Sequence, residues 1–217
     1  MKKLILILAT VATVISYSGQ SSKSINNTIM DNKEKDKLDF VLLDKFAKKV
    51  EMKDDKGIYF AYDWTFIENG TETRIFGNKR RVFTMWQTPP KPAFFQIYKQ
   101  YYPNGYLKLK GKCMGDGITK IGEWEYYNEK GELTSKVDED KKFGKFGYNE
   151  LLLFLHQEKY IDIKTGENRE NVRFGYNVEN KEWGVRITKS SHWITEYVID
   201  GETGAVINKK EYQGGKR

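Results

Sequence analysis

The chain has 217 residues, of which 39% are hydrophobic and 14% aromatic. That much apolar surface excludes a disordered chain. A lone cysteine, Cys113, excludes an internal disulfide, so the fold must rest on its hydrophobic core. The formal net charge is +7, but the two signs alternate, as in 31–37 and 138–142, which reads as a solvated surface rather than a basic binding site.

In chain order, Met1, Lys2 and Lys3 form a positive start, residues 4–15 an apolar run, and Ser16, Tyr17 and Ser18 a small-residue cleavage region. This is the layout of a secretory signal peptide over 1–18. The run is shorter than the ~20 apolar residues of a membrane-spanning helix. No Cys stands near the cleavage region to carry a lipid anchor. The expectation is an exported chain, periplasmic or secreted, that is not a lipoprotein and has no stable membrane insertion. Residues 19–36 are polar and aperiodic and read as a flexible leader.

Leu38, Val41, Leu42, Phe46 and Val50 fall at helical spacing, which predicts a helix over 36–52. From Ile58 the period changes to two. Predicted strands run over 58–66, 71–76, 81–87, 93–102, 106–111, 121–128 and 132–137, with Asn69-Gly70 and Asn104-Gly105 as hairpin turns. A loop is expected at 113–117, and the charged stretch 138–145 reads as a linker. Residues 148–157 contain the run Leu151 to Leu155, with Asn149 as candidate N-cap, and read as a helix. Strands follow at 160–163, 172–176, 182–188, 193–199 and 205–209. The fold class is β-rich α+β: an antiparallel meander with one N-terminal helix over 37–137, then a small helix-plus-antiparallel-sheet part over 146–210.

Two stretches repeat. Tyr102-Pro-Asn-Gly-Tyr-Leu107 matches Tyr127-Asn-Glu-Lys-Gly-Glu-Leu133, with Gly105 and Gly131 26 residues apart, as are Leu107 and Leu133. Each unit is one hairpin in which Gly supplies the turn and the aromatic and Leu make a face for the neighbouring unit to cover. On these residues, 100–137 resembles the membrane-occupation-and-recognition-nexus (MORN) repeat of bacterial antitoxin-type proteins, with 67–76 as a degenerate earlier copy. The resemblance implies a scaffold and binding surface with no catalytic residue. Trp183-Gly-Val-Arg-Ile-Thr188, Glu196-Tyr-Val-Ile-Asp200 and Thr203-Gly-Ala-Val206 are similar to the PepSY-type domain over 149–209. That resemblance implies an exported module that binds or inhibits partner proteins. A second echo, Ile161-Asp-Ile-Lys-Thr-Gly-Glu167 against Ile199-Asp-Gly-Glu-Thr-Gly-Ala205, reads as twin Asp-bracketed turns rather than a cation site, because one Asp per loop is far short of calcium's six to eight oxygen ligands.

No nucleophile elbow, phosphate loop or zinc spacing stands in the sequence, and no cofactor or metal is expected. His156 reads as a core or helix-end histidine. Glu123 and Glu125 flank Trp124 at strand spacing and share a face, which leaves a hydrolase as the enzyme alternative. Aromatic side chains are the better lead. Tyr102, Tyr106, Trp124 and Tyr126 are the expected partner-binding residues, with cross-strand aromatic pairing as the competing account. The sequence therefore points to a non-catalytic exported binding protein of the immunity or antitoxin kind, which blocks a toxin or hydrolase. No nucleic-acid partner is expected. The alternative binding role is an envelope scaffold on peptidoglycan or polysaccharide.

Overall fold

The computed structural model describes residues 36–114, 119–189 and 193–214. The expected signal peptide, and the leader as far as residue 35, lie outside the described residues. The first sheet is an eight-stranded antiparallel meander in chain order: β1 Lys48–Asp54, β2 Gly57–Glu68, β3 Thr71–Gly77, β4 Phe83–Thr88, β5 Phe95–Tyr101, β6 Leu107–Met114, β7 Lys120–Tyr127 and β8 Leu133–Asp138. Tight turns make this order possible. Between β2 and β3, Asn69 and Gly70 take φ of 48° and 76°, the positive values a two-residue hairpin loop requires.

The helix expected over 36–52 is shorter. It is α1, Phe40–Phe46, capped by Asp39, whose carboxylate accepts from the Val41 and Leu42 amides. At Ala47 the backbone turns extended, with ψ 141°, and β1 begins. Pairing decides the boundary: Lys48–Asp54 takes a seven-residue register with β2, from Lys48 opposite Asp63 to Asp54 opposite Gly57. The buried anchor of α1 is Leu43, at 1% exposure, whereas Val41 of the expected apolar stripe is 76% exposed. Cys113 and Met114, expected in a loop, end β6 and are buried.

Residues directly opposed across an antiparallel pair share a face. One face of the meander carries Tyr62 and Trp64 (β2), Ile75 (β3), Phe83 and Met85 (β4) and Tyr101 (β5). Leu38 and Leu43 close over it to make the first core cluster. The opposite, open face carries Phe76, Arg74, Trp86, Tyr98, Gly111 and Trp124.

The second part is α2, Tyr148–Gln157, on a four-stranded antiparallel sheet of β9 Val172–Asn177, β10 Glu182–Thr188, β11 Trp193–Asp200 and β12 Val206–Gln213, ordered β12-β11-β10-β9. The N-cap is Gly147 rather than Asn149, and the Glu150 carboxylate accepts the Gly147 amide at 3.0 Å. Residues 160–163, expected as a strand, form none, because the chain there closes α2 and enters the Asp162 turn. Leu151 and Leu155 pack on Trp183, Val185, Ile187, Tyr197 and Ile199, and this cluster also takes Met114 and Ile121 from the meander.

The stretch 138–145 is not a free linker. It holds a 3₁₀ turn, Glu139–Lys142, that grips β7: the Gly122 amide donates to Asp140 at 2.8 Å and Lys142 Nζ to the Lys120 carbonyl at 2.7 Å. Gly144 then passes so close to the turn that follows β11 that a Cβ on it would meet the Gly201 carbonyl oxygen at 2.2 Å.

Candidate binding surface

The repeated hairpins are one loop built several times. At the β5–β6 tip the Tyr102 amide donates to the Tyr106 carbonyl (2.8 Å) and Gly105 to Tyr102 (2.9 Å). At the β7–β8 tip Asn128 donates to Glu132 (3.0 Å) and Gly131 to Asn128 (2.9 Å), 26 residues on. The structural equivalent of Tyr127 is thus Tyr101, not Tyr102: Tyr101 faces Leu107 as Tyr127 faces Leu133, each behind a register shift. The same loop stands at β3–β4, where Asn78 donates to Val82 and Arg81 to Asn78. The hairpin within 67–76 closes instead on the two-residue Asn69-Gly70 turn. The tips are tied to one another, Tyr102 Oη donating to the Tyr127 carbonyl and Asn104 Nδ2 to the Glu129 carbonyl, both at 2.9 Å.

The four expected partner-binding residues do not form one surface. Trp124 is 1% exposed. Its indole lies over Gly111, its Nε1 donates to the Lys112 carbonyl at 2.9 Å, and the Lys120 ammonium sits 4.3 Å from its ring. Tyr126 leaves the same face, as expected, but its hydroxyl accepts from Lys120 at 2.8 Å and donates to Glu139. The Glu139–Lys142 turn therefore closes over this end of β7. Tyr102 is half-buried against Tyr127. Tyr106 lies under the chain's own N-terminal segment: Lys37 pairs with it by a β-bridge and places Nζ 4.4 Å from its ring.

What the open face does present is the other end of Trp124's row. Trp86 lies opposite Tyr98, and Tyr98 opposite Gly111. The rings of Trp86, Tyr98 and Trp124 follow one another at centroid distances of 5.9 and 5.7 Å. Trp86 and Tyr98 are half-buried and belong to neither core cluster. Beside them Arg74 holds Asp63 through two hydrogen bonds of 3.3 and 3.1 Å, and Phe76 and Ile67 are 41% and 71% exposed. Trp86 was missed in the sequence because β4 alone does not say which of its faces is covered. Once β4 is paired with β5, its place opposite Tyr98 is determined.

Glu123 and Glu125 share the helix-bearing face, as expected from their spacing. Glu125 is fully engaged. The Tyr127 hydroxyl first, then the Lys110 and Lys136 ammonium groups at 2.9 Å each, draw its carboxyl down from 4.5 to about 2. Such a group stays ionised at neutral pH and has no proton to give as a general acid. Glu123 is exposed and paired with Lys136 at 2.7 Å. The twin Asp loops are turns. Asp162 accepts the Lys164 and Thr165 amides, and Asp200 accepts the Glu202 and Thr203 amides. Among the described residues no group of three or more His, Cys, Asp or Glu is placed to hold a metal ion. His156 is a helix-end residue, its Nδ1 3.1 Å from the Ile161 carbonyl. No helix among the described residues is long and apolar enough to cross a membrane.

Compared with protein-family models, with curated proteins and with solved structures, the chain shows no match.

Proposed function

We propose that this is an exported, non-catalytic binding protein: a MORN-like repeat sheet carrying a PepSY-like second part, of the immunity or antitoxin kind, that blocks a toxin or hydrolase in the cell envelope or outside the cell. The observation that carries the reading is the aromatic row on the open face. Trp86 and Tyr98 stand in line with a buried Trp124, outside both cores, on a sheet whose repeated tips are locked together. A rigid platform with half-exposed Trp and Tyr beside an Arg has the composition of an interface centre. The three-part layout of 1–18 supports export. The occupied lone pairs of Glu125 support binding over hydrolysis.

The test is protection of a cell against an exported toxin encoded beside this gene, with purified toxin for affinity. Trp86→Ala is expected to cost at least about 2 kcal/mol of binding, near thirtyfold, while the melting temperature holds. Retention of protection by Trp86→Ala would move the interface off the open face. Binding to peptidoglycan or polysaccharide in place of the toxin would make the protein an envelope scaffold.

A further inference from the structure

On the open face a pocket of about 200 Å³ lies beside Trp86, lined by Glu72, Arg74, Trp86, Thr88 and Gln96. The register puts all five on that face. Glu72 lies opposite Thr88 and Arg74 opposite Trp86, and Gln96 shares the face of Tyr98, which lies opposite Trp86. Glu72 and Trp86 are therefore diagonal neighbours, about 7–8 Å apart. The lining cation is already neutralised: Arg74 gives Asp63 two hydrogen bonds of 3.3 and 3.1 Å. Gln96 Nε2 donates to Thr88 Oγ1 at 2.8 Å, which leaves Gln96 Oε1 as an acceptor. Among the described residues the Glu72 carboxylate enters no ion pair, and no cation stands over the Trp86 ring.

The far end of the same aromatic row carries the set complete. There the Lys120 ammonium lies 4.3 Å from the Trp124 ring and 3.6 Å from Glu139, a cation between an indole and a carboxylate. At Trp86 the indole and the carboxylate stand without the cation. We propose that the pocket takes a basic side chain, the guanidinium or ammonium of an Arg or Lys that a partner protein inserts between Trp86 and Glu72. The ring face attracts a cation within about 6 Å of its centroid, and the carboxylate supplies a charge-assisted hydrogen bond. The pocket is below the ~300–1,000 Å³ of a small-molecule cleft and has room for one side chain. The inference rests on the open-face reading for the source of the cation, and names what the partner presents there.

The experiment is titration of the full exported chain, isotope-labelled and followed by nuclear magnetic resonance at the Trp86 indole N–H. The probes are N-acetyl-L-arginine amide, its neutral isostere N-acetyl-L-citrulline amide, a pentapeptide with Arg at the centre of four Gly, and free butylguanidine. Saturable shifts with the arginine probes, at least about tenfold tighter than with citrulline, are the expected result, since a hydrogen bond to a charged group contributes on that order. Glu72→Gln should remove that preference with the melting curve unchanged, Glu72→Asp should keep part of it, and Trp86→Ala should abolish the shifts of every probe. No saturable shift, equal binding of arginine and citrulline, or indifference to Glu72→Gln overturns the proposal. Butylguanidine more than about tenfold tighter than the pentapeptide overturns the protein source and assigns a free organic cation. The two readings fail separately with purified toxin. Loss of affinity in Trp86→Ala but not in Glu72→Gln leaves the open face standing and removes the cation. Arginine binding that needs Glu72, with protection kept by Trp86→Ala, leaves the pocket standing and removes the toxin.

Discussion

The indole of Trp124 occupies the space that a side chain on Gly111 would need: a Cβ on Gly111 would sit 2.3 Å from Trp124 Cδ2. A glycine in β6 and a tryptophan in β7 are thus one structural unit, and the lack of a side chain at 111 is what lets Trp124 lie flat on the sheet between Tyr98 and Lys120.

Gly111→Ala is therefore expected to destabilise the protein by about 1–3 kcal/mol, the usual range for overpacking. Trp124→Ala should cost about 3–5 kcal/mol as a cavity in the core. In the double variant the added methyl meets no ring, so the two costs should fall short of adding by more than about 0.5 kcal/mol. Denaturant unfolding of the four proteins reads this directly, and strict additivity would separate the two residues.

The Glu125 cluster gives a pH signature. Its carboxyl is drawn down to about 2 by Tyr127, Lys110 and Lys136. A depressed folded value means that the stabilisation is fully present above the unfolded value near 4.5 and is lost as pH falls toward 2. Both lysines are more than a third exposed, so solvent screening leaves the pairs about 1 kcal/mol. Glu125→Gln should lower stability by that amount at pH 7, and the deficit should vanish as pH approaches 2. A deficit that is constant from pH 7 to pH 2 would contradict this assignment.

The N-terminal segment is a latch. Asp36 pairs with Lys99 at 2.7 Å and accepts from the Tyr101 hydroxyl at 3.1 Å, while Leu38 donates to the Gly105 carbonyl and Leu107 to the Asp36 carbonyl. Burial first, then Asp36, pushes the Tyr101 phenol well above its usual range, so it stays a donor throughout the working pH range. Asp36→Ala leaves Lys99, at 14% exposure, without its partner. The expected cost is about 1–3 kcal/mol, with faster hydrogen exchange at the Leu38 and Leu107 amides. Unchanged exchange at both amides would show that the latch holds without Asp36.

The period-two stretches between Ile58 and Val137 were legible because Asn-Gly turns and alternation specify hairpins locally. The second helix was legible from its Leu run. The end of α1 was not: Phe46 and Val50 keep helical spacing, and only the ladder with β2 makes 48–54 a strand. Nor was the burial of Trp124, since alternation puts Trp124 and Tyr126 on one face without saying what lies over it. What packs on the indole is Tyr98, Gly111 and the Lys120 ammonium, and Lys120 is held in turn by Glu139 of a turn whose charged composition reads as a linker. Pairing partners distant in sequence decide both cases.

The twin Asp loops discriminate turn chemistry from cation binding. Asp200 accepts the Thr203 amide (2.7 Å), the Thr203 hydroxyl (2.8 Å) and the Glu202 amide (3.0 Å), and these bonds, the Thr203 amide first, hold its carboxyl below the usual range. Asp162 is lowered in the same way, chiefly by the Lys164 amide. Beyond each Asp a glycine at positive φ, Gly166 at 73° and Gly204 at 75°, returns its amide to the Asp carbonyl. With their oxygens facing backbone donors, and with Glu202, the other carboxylate of the second loop, paired to Lys181 at 3.1 Å, neither Asp offers calcium a shell. Millimolar calcium should leave the melting temperature unchanged. Asp200→Ala should lower it at neutral pH, and the difference should shrink in acid, because a depressed carboxylate contributes stability above its unfolded value and loses it below the folded one. Gly204→Ala should lower it further, since a Cβ there meets the Phe146 ring at 2.4 Å as well as the positive φ. A calcium-dependent rise in melting temperature that Asp200→Ala abolishes would make these loops a cation site instead.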